Sequence, residues 1–260
     1  MKEEIRIFFT SLMFYTRIPS PIKFDYDPDY INKATRYFPL IGWIVGLISF
    51  GVYWLSSFLF DTSIAVVFSL IAGVLTTGAF HEDGLADVMD GFGGGWTKTK
   101  ILEIMKDSRV GAYGAIALVL LFLIKYTSLL SLFTTLENQP PYVIALYFVS
   151  YHALGRLTAI NIVFTSVYSR EDATSKVKPI AKQHGWKEII GAYFFGITPL
   201  FLLGQWHFFI VLLPLFVTYL YSKKYFEKWI DGYSGDCLGA VEQIAECVSL
   251  LTFISIWKFM

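Results

Sequence analysis

An all-α, polytopic integral membrane protein is the fold this sequence predicts, and three observations carry it. The 260 residues are 55% hydrophobic and 18% aromatic but only 16% charged, against about 25% charged in an ordinary soluble domain. Apolar runs long enough to cross about 30 Å of hydrocarbon recur near 37–60, 62–80, 110–134, 142–167, 188–204, 206–222 and 238–257. Among the connections, lysine and arginine occur in alternate ones only. The expectation is about seven transmembrane helices. Should the short fifth and sixth runs, which contain Pro199 and Pro214 with only Gly204-Gln205 between them, form a re-entrant hairpin, five spans remain. The chain reads as one domain over 1–260.

From the N-terminus, Lys2, Glu3, Glu4 and Arg6 are interleaved with Ile5, Phe8, Phe9, Leu12 and Met13 at roughly helical spacing. That is the pattern of an interfacial amphipathic helix, not of a cleavable signal. The Thr-Arg-Ile-Pro segment at 16–19 and the acidic stretch to Tyr30 read as an ordered surface loop, so 1–36 forms an arm before the first span. Orientation follows from the loops, because cytoplasmic segments retain Lys and Arg. The arm holds Lys2, Arg6, Arg17, Lys23, Lys33 and Arg36, and the 81–109 loop holds Lys98, Lys100, Lys106 and Arg109. The 168–187 loop adds Arg170, Lys176, Lys178, Lys182 and Lys187, and the 223–237 loop adds Lys223, Lys224 and Lys228. The connections near 61, 135–141 and 205 contain neither residue type. This places the N-terminus in the cytoplasm and the polar, glycine-rich segments on the cytoplasmic face of the cell membrane.

Formal charge is zero, with 21 basic and 21 acidic residues, so no nucleic-acid partner is expected. Cys237 and Cys247 lie ten apart in one helical stretch, which is neither a disulfide framework nor a metal pair. The small-xxx-small spacing of Gly42 and Gly46 suits a close helix interface, within the chain or in a homo-oligomer.

The densest chemistry is at 81–95, His-Glu-Asp-Gly-Leu-Ala-Asp-Val-Met-Asp-Gly-Phe-Gly-Gly-Gly. On a helix, Asp83, Asp87 and Asp90 span an arc of about 60° and can converge on a cation. Glu82 adds a fourth carboxylate to the candidate metal set. Such hard oxygen ligands suit Mg²⁺, which recruits substrate phosphate oxygens to complete its octahedron. Gly84 leaves room for a bulky group beside the helix, and Gly93, Gly94 and Gly95 can turn the chain and offer N–H groups to anions. A solvated loop would not need apolar Leu85, Ala86, Val88 and Met89 between the acids. His81 is a candidate proton acceptor or a structural histidine.

Residues 98–109 form a second amphipathic stretch, ending Lys106-Asp-Ser-Arg109. Lys106, Asp107 and Arg109 are candidate substrate contacts, Arg109 through a bidentate fork to phosphate, although the bases also read as a positive-inside flank. Gly111 and Gly114 look like close helix packing. In the fourth span His152 and Arg156 share a face, and an intramembrane arginine is a functional-site candidate. Asp236 and Glu242 near the last span can join the polar site, whereas Glu246 is placed to pair with Arg156. Phe92, Trp96 and Tyr113 are candidate walls for a ligand or interfacial anchors.

Taken together, these motifs closely resemble the adenosylcobinamide-GDP ribazoletransferase family. The likeness starts at Phe-Tyr-Thr-Arg-Ile-Pro (14–19) and includes Tyr-Phe-Pro-Leu-Ile-Gly (37–42), the 81–95 segment and Ile-Met-Lys-Asp-Ser-Arg-Val-Gly-Ala-Tyr-Gly (104–114). It closes with Gly-Asp-Cys-Leu-Gly-Ala (235–240) and departs at Asp231-Gly232, where the family usually has Gly-Gly. The resemblance implies an integral membrane, Mg²⁺-dependent enzyme of the late corrin pathway. It would join adenosylcobinamide-GDP to α-ribazole or α-ribazole 5'-phosphate and release GMP. Mg²⁺ on Asp83, Asp87 and Asp90 would neutralise the diphosphate. Lys106 and Arg109, with Arg17 from the arm, would clamp phosphate, and His81 or Asp90 would take the attacking hydroxyl's proton.

Two other readings account for part of the pattern. CDP-alcohol phosphotransferases also use a membrane aspartate cluster, but here Ala86 precedes Asp87 where they have arginine. A cation transporter would explain the spans and Arg156, but carriers more often place polar groups between internal repeats at the midplane.

Overall fold

The computed structural model describes residues 2–25, 27–169 and 184–260. Arg170, Lys176, Lys178 and Lys182 of the 168–187 loop lie outside the described residues. Within them the chain forms eleven α-helices and no strand: α1 (Lys2–Tyr15), α2 (Pro28–Ala34), α3 (Phe38–Ser56), α4 (Thr62–Thr77), α5 (Phe80–Gly94), α6 (Lys98–Ile104), α7 (Ala112–Thr135), α8 (Pro141–Thr165), α9 (Trp186–Leu202), α10 (Leu212–Ile230) and α11 (Gly235–Phe259). Asp61, Thr97 and Ser234 cap α4, α6 and α11, each accepting a hydrogen bond from a backbone N–H in the helix's first turn and so satisfying a donor that the helix itself leaves open.

Among the described residues, five helical segments are long and apolar enough to cross a bilayer: Asp29–Ser56, Ala112–Thr135, Pro141–Thr165, Trp206–Ile230 and Gly235–Phe259. A sixth arises if α4 and α5 count as one span bent by 88°. The difference from seven lies in two short helices. At 1.5 Å per residue, the 16 residues of α4 and the 17 of α9 reach only about 24–26 Å. The sixth apolar run, by contrast, extends through Lys223, Lys224 and Lys228 to Ile230 as continuous helix, which makes it long and apolar enough to cross a bilayer by itself. Exposed Leu55, Phe58, Leu59, Leu75, Val119, Phe201 and Leu213 cover the outside, as expected of a surface that faces lipid.

α8 is the hub, with most of its length buried. It packs on α3 so closely that a Cβ on Gly42 would lie 2.6 Å from the His152 carbonyl oxygen, and one on Gly46 2.7 Å from that of Phe148. The small-xxx-small motif is therefore used inside the chain. Farther along α8 a Cβ at Gly155 would meet Glu246 Cγ at 2.7 Å, which seats α11. The N-terminal arm is helical as expected, and Arg36 fastens it: its guanidinium bonds Glu4 at 3.0 Å and Glu188 of α9 at 2.7 Å. That arginine, counted as a positive-inside flank, is a buried clamp between three elements.

Introducing a side chain at the α3–α8 contact must push backbones apart. Gly46→Leu is expected to destabilise the purified protein by about 3 kcal/mol through overpacking, read as a lowered thermal unfolding midpoint in detergent. Gly51→Leu, with nothing within 4 Å of its Cβ position, should leave the midpoint nearly unchanged.

Candidate active site

The acidic segment is a helix set across the preceding one. Gly78 (φ 70°) and Ala79 (φ 58°) are both left-handed, and these two residues turn the chain by 88° from α4 into α5. α5 then continues to Gly94, with the Gly95 N–H bonded to Gly91 O at 2.9 Å, so the glycine run extends the helix and turns only at its end. α11 crosses α5 backbone to backbone. A Cβ on Gly84 would lie 2.9 Å from the Asp236 carbonyl oxygen, and one on Gly239 2.9 Å from that of His81. The room at Gly84 thus admits another helix rather than a ligand, and it sets Asp236 beside the turn that carries Asp83 and Asp87.

The α5 acids divide by direction. Asp83 is exposed, and Asp87 and Asp90 are half-buried. Asp90 accepts backbone N–H groups from Gly111 at 2.7 Å and Gly114 at 2.9 Å, acting as the cap of α7 from a distant position in sequence. A Cβ on either glycine would fall within 2.5 Å of its carboxylate, so these glycines admit a carboxylate and not another helix. His81 and Glu82, 2% and 7% exposed, point the other way, into the protein interior.

There they meet a second polar layer. Lys125 of α7 bonds Glu246 at 2.6 Å and Gln243 at 2.5 Å. Arg156 lies 2.7 Å from Glu242 and 3.3 Å from Glu246. His152 Nδ1 is 2.5 Å from Glu246, and His81 Nδ1 is 3.9 Å from Glu242. Arg156 also lies 5.7 Å over the Phe38 ring, a cation–π contact of the desolvated kind. The proposed pairing of Glu246 with Arg156 is present; Lys125 was overlooked. A lysine in the middle of the 110–134 run was its signal, since such a residue needs a partner in the membrane.

Among the described residues, the one group of three side chains with ligand atoms within 4.8 Å is His152, Glu242 and Glu246. Its two carboxylates are already matched by Lys125 and Arg156, so this is an ion-pair core. The acids of α5 are spaced more widely.

At the surface, Arg109 forks onto Asp107 at 3.0 and 2.6 Å. This side-chain hydrogen bond holds the Asp107 carboxyl down to about 2. Arg17 is exposed, with its N–H on Thr76 O at 2.8 Å and its guanidinium laid over Gly78, at the corner that leads into α5. Lys106 is exposed. Phe92 and Tyr113 line an apolar groove of about 640 Å³ among α5, α7, α10 and α11, on the side of α5 roughly opposite Asp83 and Asp87. Trp96 is 81% exposed and does not line it.

The family model described as cobalamin-5-phosphate synthase matches residues 7–254. The chain belongs to that family. It is 44% identical over 260 residues to the adenosylcobinamide-GDP ribazoletransferase of Shewanella amazonensis, covering 99% of this chain and 98% of that one. It is 42% identical to that of Shewanella frigidimarina, over 97% and 95% of the two chains. No solved structure matches it significantly. In this cobalamin-5-phosphate synthase family member, the departure at Asp231 falls on a left-handed residue (φ 57°), a conformation glycine takes freely and aspartate tolerates. Asp231 pairs with Lys98 at 3.0 Å, joining α6 to the α10–α11 turn.

Removing one partner from the ion-pair core strands its counter-charge. Lys125→Met is expected to cost about 3–5 kcal/mol, measured by thermal or denaturant unfolding in detergent. Adding Glu246→Gln should recover a large part of that loss, because the buried charge left behind is then gone.

Proposed function

We propose that the protein transfers the phospho-adenosylcobinamide group from adenosylcobinamide-GDP to α-ribazole or its 5'-phosphate, releasing GMP. We place the reaction at the acidic face of α5, with Mg²⁺ bound there, open to the cytoplasm at the cell membrane. The observation that carries the site is the Gly84–Gly239 crossing, which sets Asp236 beside Asp83 and Asp87. It joins the 81–95 and 235–240 motifs, which are far apart in the chain.

The donor set fits a hard divalent cation. Asp83, Asp87 and Asp236 offer carboxylate oxygens on adjoining turns, too far apart to enclose an ion by themselves. Mg²⁺ sites commonly use one or two carboxylates and take the remaining ligands from water and substrate phosphates, so such a site is completed by the diphosphate itself. When bound, the cation supplies neutralisation of the diphosphate as charge develops on the leaving phosphate.

The chain's own residues do the rest. Arg17, exposed at the α4–α5 corner, and Lys106 bind phosphate oxygens, while Arg109 is held by Asp107 until a phosphate displaces that carboxylate. The ribazole hydroxyl oxygen forms a bond to the phosphorus that carries the cobinamide arm as the bond from that phosphorus to the GMP oxygen breaks. Its proton passes to a carboxylate of the acidic face. His81 is 2% exposed and Asp90 already accepts two backbone N–H groups, which disfavours both as that carboxylate or base. Positioning and electrostatics suffice for such a displacement.

Asp83→Asn is expected to lower GMP release from adenosylcobinamide-GDP by at least about 100-fold and to shift its half-saturating Mg²⁺ upward, assayed with purified protein in lipid. A variant as active as wild type at every Mg²⁺ concentration would remove Asp83 from the site.

A further inference from the structure

Beneath the first turn of α5 lies a cavity of about 20 Å³ lined by Ser49 of α3, His81 and Glu82 of α5, and His152 and Arg156 of α8, among others. Each of these five side chains has a buried polar atom with no hydrogen-bond partner: Ser49 Oγ, both His81 ring nitrogens, Glu82 Oε2, His152 Nε2 and Arg156 Nε. Buried polar groups in native proteins are almost always satisfied, and five such side chains around one small cavity point to a common occupant.

The volume admits about one water, which can bond up to four of these groups. The chemistry agrees, because the set mixes a donor, Arg156 Nε–H, with an acceptor, Glu82 Oε2, and with hydroxyl and imidazole groups that can serve either way. A cation would face the Arg156 N–H and the neighbouring Lys125 ammonium, and an anion would face Glu82 and Glu246, which line the same cavity.

We infer that this cavity is an internal water site, and that through it Glu82 and His81 act as positioning residues for the acidic helix. Glu82 lies about 100° around α5 from Asp83 and about 140° from Asp87. Fixing the inner face to α3 and α8 therefore fixes the direction in which the two aspartates project. The inference rests on the active-site assignment to α5, and its water site is testable apart from it.

The test pairs structure with kinetics. A high-resolution structure of the full-length protein in lipid is expected to show one density peak, within hydrogen-bond distance of Glu82 and of Ser49 or His152. Glu82→Ala is expected to lower kcat by about 10–100-fold, with KM for both substrates changed less than about threefold. Glu82→Gln, which keeps an acceptor oxygen, should restore kcat to within a few-fold. Ser49→Ala, distant from α5 in sequence, should fold normally and lower kcat in the same direction with unchanged KM. Direct Mn²⁺ binding to Glu82→Gln, followed by electron paramagnetic resonance, should match wild type. An empty cavity or a metal in it would overturn the water site. Glu82→Gln as inactive as Glu82→Ala with weakened Mn²⁺ binding would make Glu82 a ligand, and an unchanged kcat in Glu82→Ala would remove its positioning role. Loss of activity in Asp83→Asn with none in these variants would overturn the inference and leave the site assignment standing.

Discussion

Two cations and two carboxylates sealed among apolar helices govern the arrangement of this protein. Lys125, Arg156, Glu242 and Glu246 are each no more than 4% exposed, and they come from α7, α8 and α11. In an apolar interior any one of them alone would be prohibitively costly, so the three helices are held to the register that lets the charges meet. The seat at Gly155 fits that register, because it lets α8 and α11 approach to the distance the ion pairs need.

The same core explains how a strongly acidic helix is tolerated. α5 leaves the line of α4 at the Gly78-Ala79 corner and presents His81 and Glu82 to the charge network, Gly84 to α11, and Asp83 outward. Asp90 ties its far end to the start of α7. A helix anchored on three sides has one direction left for Asp83 and Asp87, and Asp236 arrives there with α11. For the reaction site proposed at this face, preorganisation of this kind would place charge before substrate binds, which is how phosphoryl transfer is accelerated with little reorganisation.

Much of this was legible in the sequence. The apolar runs announced the helical membrane fold, the aspartate spacing announced a helix with an acidic face, and an arginine inside a span announced a buried partner, which Glu246 supplies together with the nearer Glu242. What was not legible depended on phase and partner. Periodicity put Asp83, Asp87 and Asp90 on one arc but could not say that Glu82 turns inward, because the side of α5 that faces the core is fixed by α11 crossing at Gly84. Asp90 looked like its neighbours until α7 was seen to begin at its carboxylate. Lys223, Lys224 and Lys228 read as a loop because charge usually ends a span, whereas here the helix carries them on to Ile230.

The central claim is that α5 has an inward polar face and an outward acidic face, and thiol accessibility tests it most directly. With Cys237 and Cys247 replaced by serine, Asp83→Cys and Glu82→Cys would each be exposed, in inverted membrane vesicles, to a membrane-impermeant maleimide. The account predicts rapid labelling at position 83 and little or none at position 82 until the protein is denatured. Equal labelling of the two adjacent positions, or protection of position 83 alone, would contradict it.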